Sequence, residues 1–493
     1  MNHIKKLYRH SLSLLTDLYQ LTMAFGYWKT GKINQEAVFS LFFRKPPFGS
    51  GYTIAAGLGT VLEYLEDLHF TDSDLTYLTT LTGADGKPLF EQAFLDYLSE
   101  LRFECDIDAM PEGTLVFPHQ PLLRVQGPLL QCQILETALL NIINFQTIIA
   151  TKSTRICQAT QGDPVLEFGL RRAQGIDGAL SASRAAYIGG CAATSNLLAG
   201  KLYGIPVKGT HAHSWIMSFA TEDEAFRAYA EAMPNNCIFL VDTFDTHNGV
   251  KKAIEMGHWL REKGHQLIGI RLDSGEFISL SQQARQMLDQ AGFEQARIVA
   301  SNDLDEHLID DLKAAGAKIN LWGVGTKLVT SYDQPALGGV YKLTAIREPG
   351  EDWQYRLKLS EEPIKISNPG LLQVRRFSDA QGEFVGDMIY NQTFPPVDAP
   401  RMVNLAAPEK HTQLSAGTPY EDLLIPVLRK GSPVVDLPSL AQIRERVQAQ
   451  LAHCPAGIKR LKSPDVYSVN LEYHLFELKQ QLINQVQDKS WTP

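Results

Sequence analysis

Four apolar runs in the middle of the chain stop abruptly at residues with chemistry to offer. Val207 to Trp215, VKGTHAHSW, sets Thr210, His211 and His213 in a row after Gly209. FLVDTFDT stops at Asp242 and Asp245, LIGIRLDSG at Arg271 and Asp273, and RIVASND at Asn302 and Asp303. Each reads as a short Val/Ile/Leu strand ended by charge. Strands that alternate with helices lie parallel under cover on both faces, so their C-terminal ends share one side of the sheet, where α/β enzymes build their sites. The four endings are therefore expected to form one pocket.

The chemistry such a pocket offers is that of anions. EFGLRR places Phe168, Arg171 and Arg172 at another strand end, and guanidinium is always charged and grips carboxylate or phosphate with paired hydrogen bonds. An isolated Arg-Arg is more often a surface pair. Here Lys208, Arg271 and Lys327 fall near other strand ends on the same side and favour an anion. GVGT, from Gly323 to Thr326, is a short glycine loop whose N–H groups can face a phosphate. Asp242, Asp245, Asp273 and Asp303 suffice to hold a hydrated Mg²⁺ that bridges phosphates, or to steady a cationic sugar carbon; capping of the following helices is an equal alternative. His211-x-His213 is a weak metal pair without a further ligand nearby, and a core histidine is the ordinary alternative. His213, in such a pocket, can accept a phosphoryl group.

The elements that must carry these residues begin at Val165. VLEFG, IPVKG, IFLVD, LIGIR, RIVAS, INLWGV and GVYKL are separated by helical segments, and that alternation favours a compact, irregular βα-barrel. Upstream, a helix starts at Thr16 or Asp17 and runs to Gly31, with Leu18, Leu21, Phe25 and Trp28 on one face and Tyr19 beside it. Gly26-YWKT-Gly31-Lys32 imitates a phosphate loop, but Ile33 stands where Ser or Thr belongs and the glycines end a helix rather than open one. Gly57 and Gly59 are half of a dinucleotide fingerprint and are read as close packing at a helix start. Leu129 to Thr151 is read as one long helix, IKISNPGLLQVRRF as two strands around a turn, and Leu471 to Val486 as a closing helix. Domains are placed at 1–152, 153–343 and 344–493, in line with about three domains for 493 residues.

Composition narrows the partners. A net charge of −9 does not favour a nucleic-acid backbone or an anionic membrane. MNHIKKLYRHSLSLL lacks the apolar core of an export signal, and no membrane span is visible. Six cysteines without any C-x-x-C argue against disulfides or a structural zinc, so a reduced, cytoplasmic setting is expected.

Taken in order, TDLYQLTM, EFGLRRAQG, GTHAHSW, RLDSG, VASND and GVGT resemble the nicotinate phosphoribosyltransferase family from about Leu15 to Leu343, and more loosely beyond. The resemblance implies an irregular, TIM-like α/β barrel with an α/β sandwich, the type II phosphoribosyltransferase fold. It implies condensation of nicotinate with phosphoribosyl pyrophosphate to nicotinate mononucleotide and pyrophosphate, coupled to ATP hydrolysis and using Mg²⁺. By motif, Tyr19 and Phe168 would sandwich the pyridine ring, Tyr19 from the neighbouring subunit of a homodimer. Thr210 and Arg271 would bind nicotinate, and Arg171, Asn302 and Thr326 would line the phosphoribosyl site. His213, Arg271 and Asp273 are the catalytic candidates, with His213 the residue ATP phosphorylates. His211 occupies a variable position and receives no role. The acid is expected over the amide, because relatives that take nicotinamide carry an Asp where His211 stands. Two other classes are kept open: a sugar-phosphate isomerase or aldolase with Lys208 or Lys327 as amine nucleophile, and a non-catalytic binding protein.

Overall fold

The structure, a computed structural model, describes residues 11–405 and 407–489. Residues 1–10, on which the reading of no export signal partly rests, lie outside them. The chain forms two compact units, Ile149–Pro335, and Met1–Ile148 together with Ala336–Pro493.

In Ile149–Pro335 strand and helix alternate. In chain order they are β1 (Val165–Glu167), α1 (Ile176–Ile188), β2 (Ala193–Thr194), α2 (Leu197–Tyr203), α3 (His213–Met217), α4 (Glu222–Ala232) and β3 (Ile238–Leu240). Then come α5 (Thr246–Glu262), β4 (Gly269–Leu272), α6 (Phe277–Gln290), β5 (Arg297–Asn302), α7 (Glu306–Ala314), β6 (Leu321–Val324) and α8 (Thr326–Val329). The six strands are parallel and stand in the order β2-β1-β6-β5-β4-β3. That order is cyclic, with one gap between β2 and β3.

The gap is where IPVKG was expected to be a full strand. Only Val207 makes a bridge, to Thr194 of β2, and Lys208 N–H donates to the Thr194 carbonyl at 3.0 Å. Pro206 has no N–H for a ladder, which limits the pairing. Past Gly209 the chain meets β3 through a side chain instead: His211 Nε2 accepts the Leu240 N–H at 3.4 Å. The segment thus spans the gap and closes an irregular α/β barrel. Leu166, Ala193, Ile238, Val299 and Leu321, from five of the strands, form one buried cluster on which Phe168 packs.

GVYKL, expected as a barrel strand, belongs to the other unit. Gly339–Arg347 pairs antiparallel with Glu36–Phe43, with Tyr341 opposite Leu41 and Lys342 opposite Ser40. Its apolar and polar residues alternate, the mark of a strand buried on one face, whereas the barrel strands are continuous apolar runs buried on both. These two strands sit in a seven-stranded sheet flanked by Gln354–Tyr355 on one side and by Leu123–Pro128, Asp106–Ala109, Ile425–Arg429 and Ser432–Pro433 on the other. A second, six-stranded sheet is built from the C-terminal third.

Several local expectations change here. The long helix is two, Leu129–Ile134 and Glu136–Ala159. IKIS forms no strand, and Pro369-Gly370 leads into the single strand Leu372–Ser378; Leu471 closes a strand, Val469–Glu472, before the last helix starts at Tyr473. The first helix, Leu18–Lys29, buries Gln20 rather than Leu18, because Gln20 has polar partners inside, Glu136 at 3.1 Å and Gln133. Gly31 follows that helix in the left-handed region (φ 72°), as a helix stop and not a phosphate loop. The Gly57 and Gly59 N–H groups donate to Glu112 at 2.6 and 3.2 Å. A protein carboxylate therefore occupies that helix N-terminus. Among the described residues no helix is long and apolar enough to cross a membrane.

Candidate active site

The strand ends of the barrel surround a cavity of about 400 Å³, lined by residues that follow β1, β2, β4, β5 and β6 and by the gap segment. Phe168, Arg171, Thr210, Arg271, Asp273, Asn302, Asp303 and Thr326 all line it, as do His211, Arg172 and the glycines of GVGT. The expectation of one shared pocket holds for these. Asp242, Asp245 and His213 stand outside the lining, and Tyr19 belongs to the other unit, where it is half exposed.

Each lining side chain has a local cause. Phe168 N–H donates to the Val324 carbonyl at 2.8 Å, and its ring lies against Gly323, where a Cβ would come within 2.8 Å of Cδ2. Glycine at 323 is thus the space the ring occupies. Gly323→Ala is expected to cost about 1–3 kcal/mol through overpacking and to raise the KM for the ring-bearing substrate about tenfold. A thermal melt with both KM values checks this; a lowered Tm with unchanged KM values would separate Phe168 from ring binding. Beneath it, the buried Glu167 carboxylate accepts from Gly169 N–H, from Ser183 Oγ at 2.8 Å and from Thr194 Oγ1 at 2.6 Å, fixing the turn that presents Arg171 and Arg172. Asn302 ends β5 with φ 122°, a backbone state rare outside glycine that concentrates at functional sites.

Arg271 is largely buried, and burial pulls its pKa below the ordinary arginine value while Asp273 and Asp242 oppose the shift. Nη1 donates to Thr210 Oγ1 and, at 3.3 Å, to the His211 carbonyl. Nε is buried without a partner, and the nearest carboxylate to Nη2 is Asp273, 4.0 Å away. One edge of the guanidinium is used; the Nε–Nη2 edge, which grips a carboxylate in two places, is open.

Asp273 is itself held. Ser301 Oγ donates to Oδ1, and the Asp273 N–H donates to Asp242 Oδ2 at 2.8 Å. Asp242 also accepts from Ser274 Oγ at 2.7 Å, so it organises the turn after β4. Asp245 caps α5 through Asn248 N–H at 2.8 Å, the capping alternative. His213 starts α3, its Nδ1 3.0 Å from Thr243 Oγ1 and its Nε2 3.7 Å from Asp273 Oδ2. The ring of His211 turns away into Phe226, Tyr229 and Phe239, so the two histidines form no metal pair. Among the described residues no group of three His, Cys, Asp or Glu could hold a metal ion.

Comparison with known proteins identifies the architecture. Nicotinate phosphoribosyltransferase N-terminal, family and C-terminal domains match residues 14–144, 164–352 and 372–479. The nicotinate phosphoribosyltransferase of Bacillus subtilis is 43% identical over 490 residues, covering 97% of this chain and 96% of its own. The chain belongs to the nicotinate phosphoribosyltransferase family. The Homo sapiens relative is 35% identical over 519 residues, covering 94% of this chain and 95% of its own. The crystal structure of human nicotinic acid phosphoribosyltransferase superposes with a TM-score of 0.82 at 33% identity, over 95% of this chain and 100% of that one. A Pyrococcus furiosus nicotinate-nucleotide pyrophosphorylase shares the fold, with a TM-score of 0.68 at 22% identity over 90% of this chain and 96% of its own.

For a phosphoribosyltransferase of this family the lysine-nucleophile alternative loses its residue. Lys327 Nζ bonds Asp305, which raises its pKa above the ordinary lysine value and keeps it a cation rather than a free amine. Ser195, which lines the cavity, escaped the sequence reading because β2, only two residues long, has no apolar run to announce it. Ser301 was visible in VASND, but its bond to Asp273 joins two strand ends that sequence spacing cannot pair.

Proposed function

We propose that this pocket transfers the phosphoribosyl group of phosphoribosyl pyrophosphate to the ring nitrogen of nicotinate. The observation that carries the reading is the open Nε–Nη2 edge of a buried Arg271 in a cavity walled by Phe168. That edge suits the nicotinate carboxylate, and Phe168 offers a face for the pyridine ring, with Thr210 fixing the guanidinium. Arg171, Asn302 and Thr326 lie where the phosphoribosyl part would be held. The pyridine nitrogen attacks C1 of the ribose as pyrophosphate leaves, and no protein nucleophile is required. Catalysis then rests on positioning and on charge: Asp273 and Asp303 face the cationic sugar, and Arg171 with Arg172 faces the departing pyrophosphate.

Mg²⁺ usually reaches phosphates with one or two carboxylates rather than a full protein cage, and the pair Asp273 and Asp303 fits that donor set. When bound it would neutralise charge on the pyrophosphate. ATP is the proposed co-substrate and His213 the residue it phosphorylates. Nucleotide formation from nicotinate and phosphoribosyl pyrophosphate, with and without ATP, tests the reading. No product under either condition would overturn it.

The working form we propose is a homodimer in a cytoplasmic setting, which fits six free cysteines. Tyr19, half exposed, then reaches the site of the other subunit. Mixing Tyr19→Ala with Arg271→Ala chains, each inactive, should restore up to about a quarter of the activity, the share expected when subunits pair at random and one of two sites is intact. Mixed dimers that form yet stay inactive would place Tyr19 in its own subunit's site.

A further inference from the structure

From Pro206 to Trp215 only His211 is buried, at 8% exposure, while Val207, Lys208, Gly209, Ala212 and Ser214 are exposed. This segment must nevertheless place Thr210 and the 211 carbonyl against Arg271 to within a few tenths of an ångström. It has no ladder of its own, since its one bridge to β2 is at Val207 and the next residues carry the site. What fixes it on the β3 side is the imidazole, whose ring sits 4.8 Å from Tyr229, centroid to centroid, between Phe226 and Phe239.

The protonation of that ring follows from its partner. The Leu240 N–H can only donate, so Nε2 is the acceptor and a neutral ring carries its proton on Nδ1. Burial pushes the pKa down to about 4, with Arg271 and His213 adding to the shift, so the acceptor is available throughout the neutral range. Leu240 is also the ladder partner of Arg271 across β3 and β4. The ring therefore grips the backbone directly beside Arg271, while the carbonyl of the same residue receives Arg271 Nη1 at 3.3 Å and Thr210 Oγ1 at 3.3 Å.

We infer that His211 is a positioning residue: as the hydrogen-bonded anchor of the barrel's open seam, it holds Thr210 and the 211 carbonyl against Arg271 and so aims the free edge of the guanidinium. It acts on the nicotinate side of the reaction and leaves the phosphoribosyl side alone. The inference rests on the carboxylate role proposed for Arg271.

The test compares two substitutions. His211→Leu keeps an apolar body and loses the acceptor; His211→Gln puts an amide oxygen near the place of Nε2. H211L is expected to raise the KM for nicotinate about tenfold with the KM for phosphoribosyl pyrophosphate within about twofold of the parent, and to speed hydrogen exchange at the Leu240 amide. H211Q is expected to return both to near parent values. If H211L does not fold, His211→Asn, too short to reach Leu240, takes its place with the same expectation. The inference is overturned if the acceptor-less variant keeps the parent's nicotinate KM, if both KM values rise together, or if H211Q is no better than H211L. A parent enzyme that turns over nicotinate and nicotinamide equally would instead overturn the role of Arg271 itself, and the inference with it.

Discussion

Arg271→Gln is expected to lower kcat/KM for nicotinate by about 10²–10³-fold while the KM for phosphoribosyl pyrophosphate changes little. The side chain is largely enclosed, and its Nε–Nη2 edge meets no protein acceptor among the described residues. A nicotinate carboxylate brought there leaves water and gains two charge-assisted hydrogen bonds at once. Removing the guanidinium leaves that carboxylate desolvated and unpaired, which costs roughly 2–5 kcal/mol, and each ~1.4 kcal/mol is a factor of ten in rate. Gln is chosen because it can still reach Thr210 and so spares the fold. Arg271→Lys sharpens the result: it keeps the charge but not the planar fork, and should recover only a small part of the loss. Nicotinamide, without a carboxylate, is the control substrate, poor with the parent and no poorer with Arg271→Gln. A loss equal for acid and amide would mean that Arg271 serves the scaffold rather than the carboxylate.

Much of this site was legible because strand ends in a parallel barrel share one face. That topological fact turned Thr210, Arg271, Asp273, Asn302 and Thr326, spread over more than a hundred residues, into neighbours around one cavity. Individual polar partners were not legible. Sequence spacing gives equal weight to Asp242 and Asp273, yet Asp242 is spent on the Asp273 N–H and the Ser274 hydroxyl. Asp273 lines the cavity. IPVKG has the composition of a strand, and the missing N–H of Pro206 with the exposed turn at Gly209 leaves it a single bridge. GVYKL matched the barrel strands in apolar content and differed in period, and its pairing with Glu36–Phe43 spans a sequence separation that no local signal records. His211 looked like half of a metal pair because histidines two apart are conspicuous, while its aromatic partners Phe226, Tyr229 and Phe239 come from α4 and β3.

His213→Asn is expected to abolish ATP hydrolysis and ATP stimulation while leaving a slow, ATP-independent synthesis of the nucleotide. The pyridine nitrogen of nicotinate is already a nucleophile at neutral pH, so ribosyl transfer has no proton that a base must remove. An imidazole near the sugar would have nothing to abstract. As a phosphoryl carrier, in contrast, His213 is well placed: with its proton held at Nδ1 beside Thr243 Oγ1, 3.0 Å away, the Nε2 lone pair is free to attack the terminal phosphorus of ATP as ADP leaves. Nε2 lies 3.7 Å from Asp273, a carboxylate of the cavity wall. A phosphoryl group added there brings between one and two negative charges to the rim of a pocket that carries Arg171 and Arg172, and can order those side chains for phosphoribosyl pyrophosphate. Asn approximates one edge of the imidazole and cannot be phosphorylated in its place, so loss of coupling with survival of basal transfer is the signature of a carrier. Loss of both would instead make His213 part of the transfer step. Retained phosphorylation of the variant by ATP labelled at the terminal phosphate would assign the carrier to a different residue.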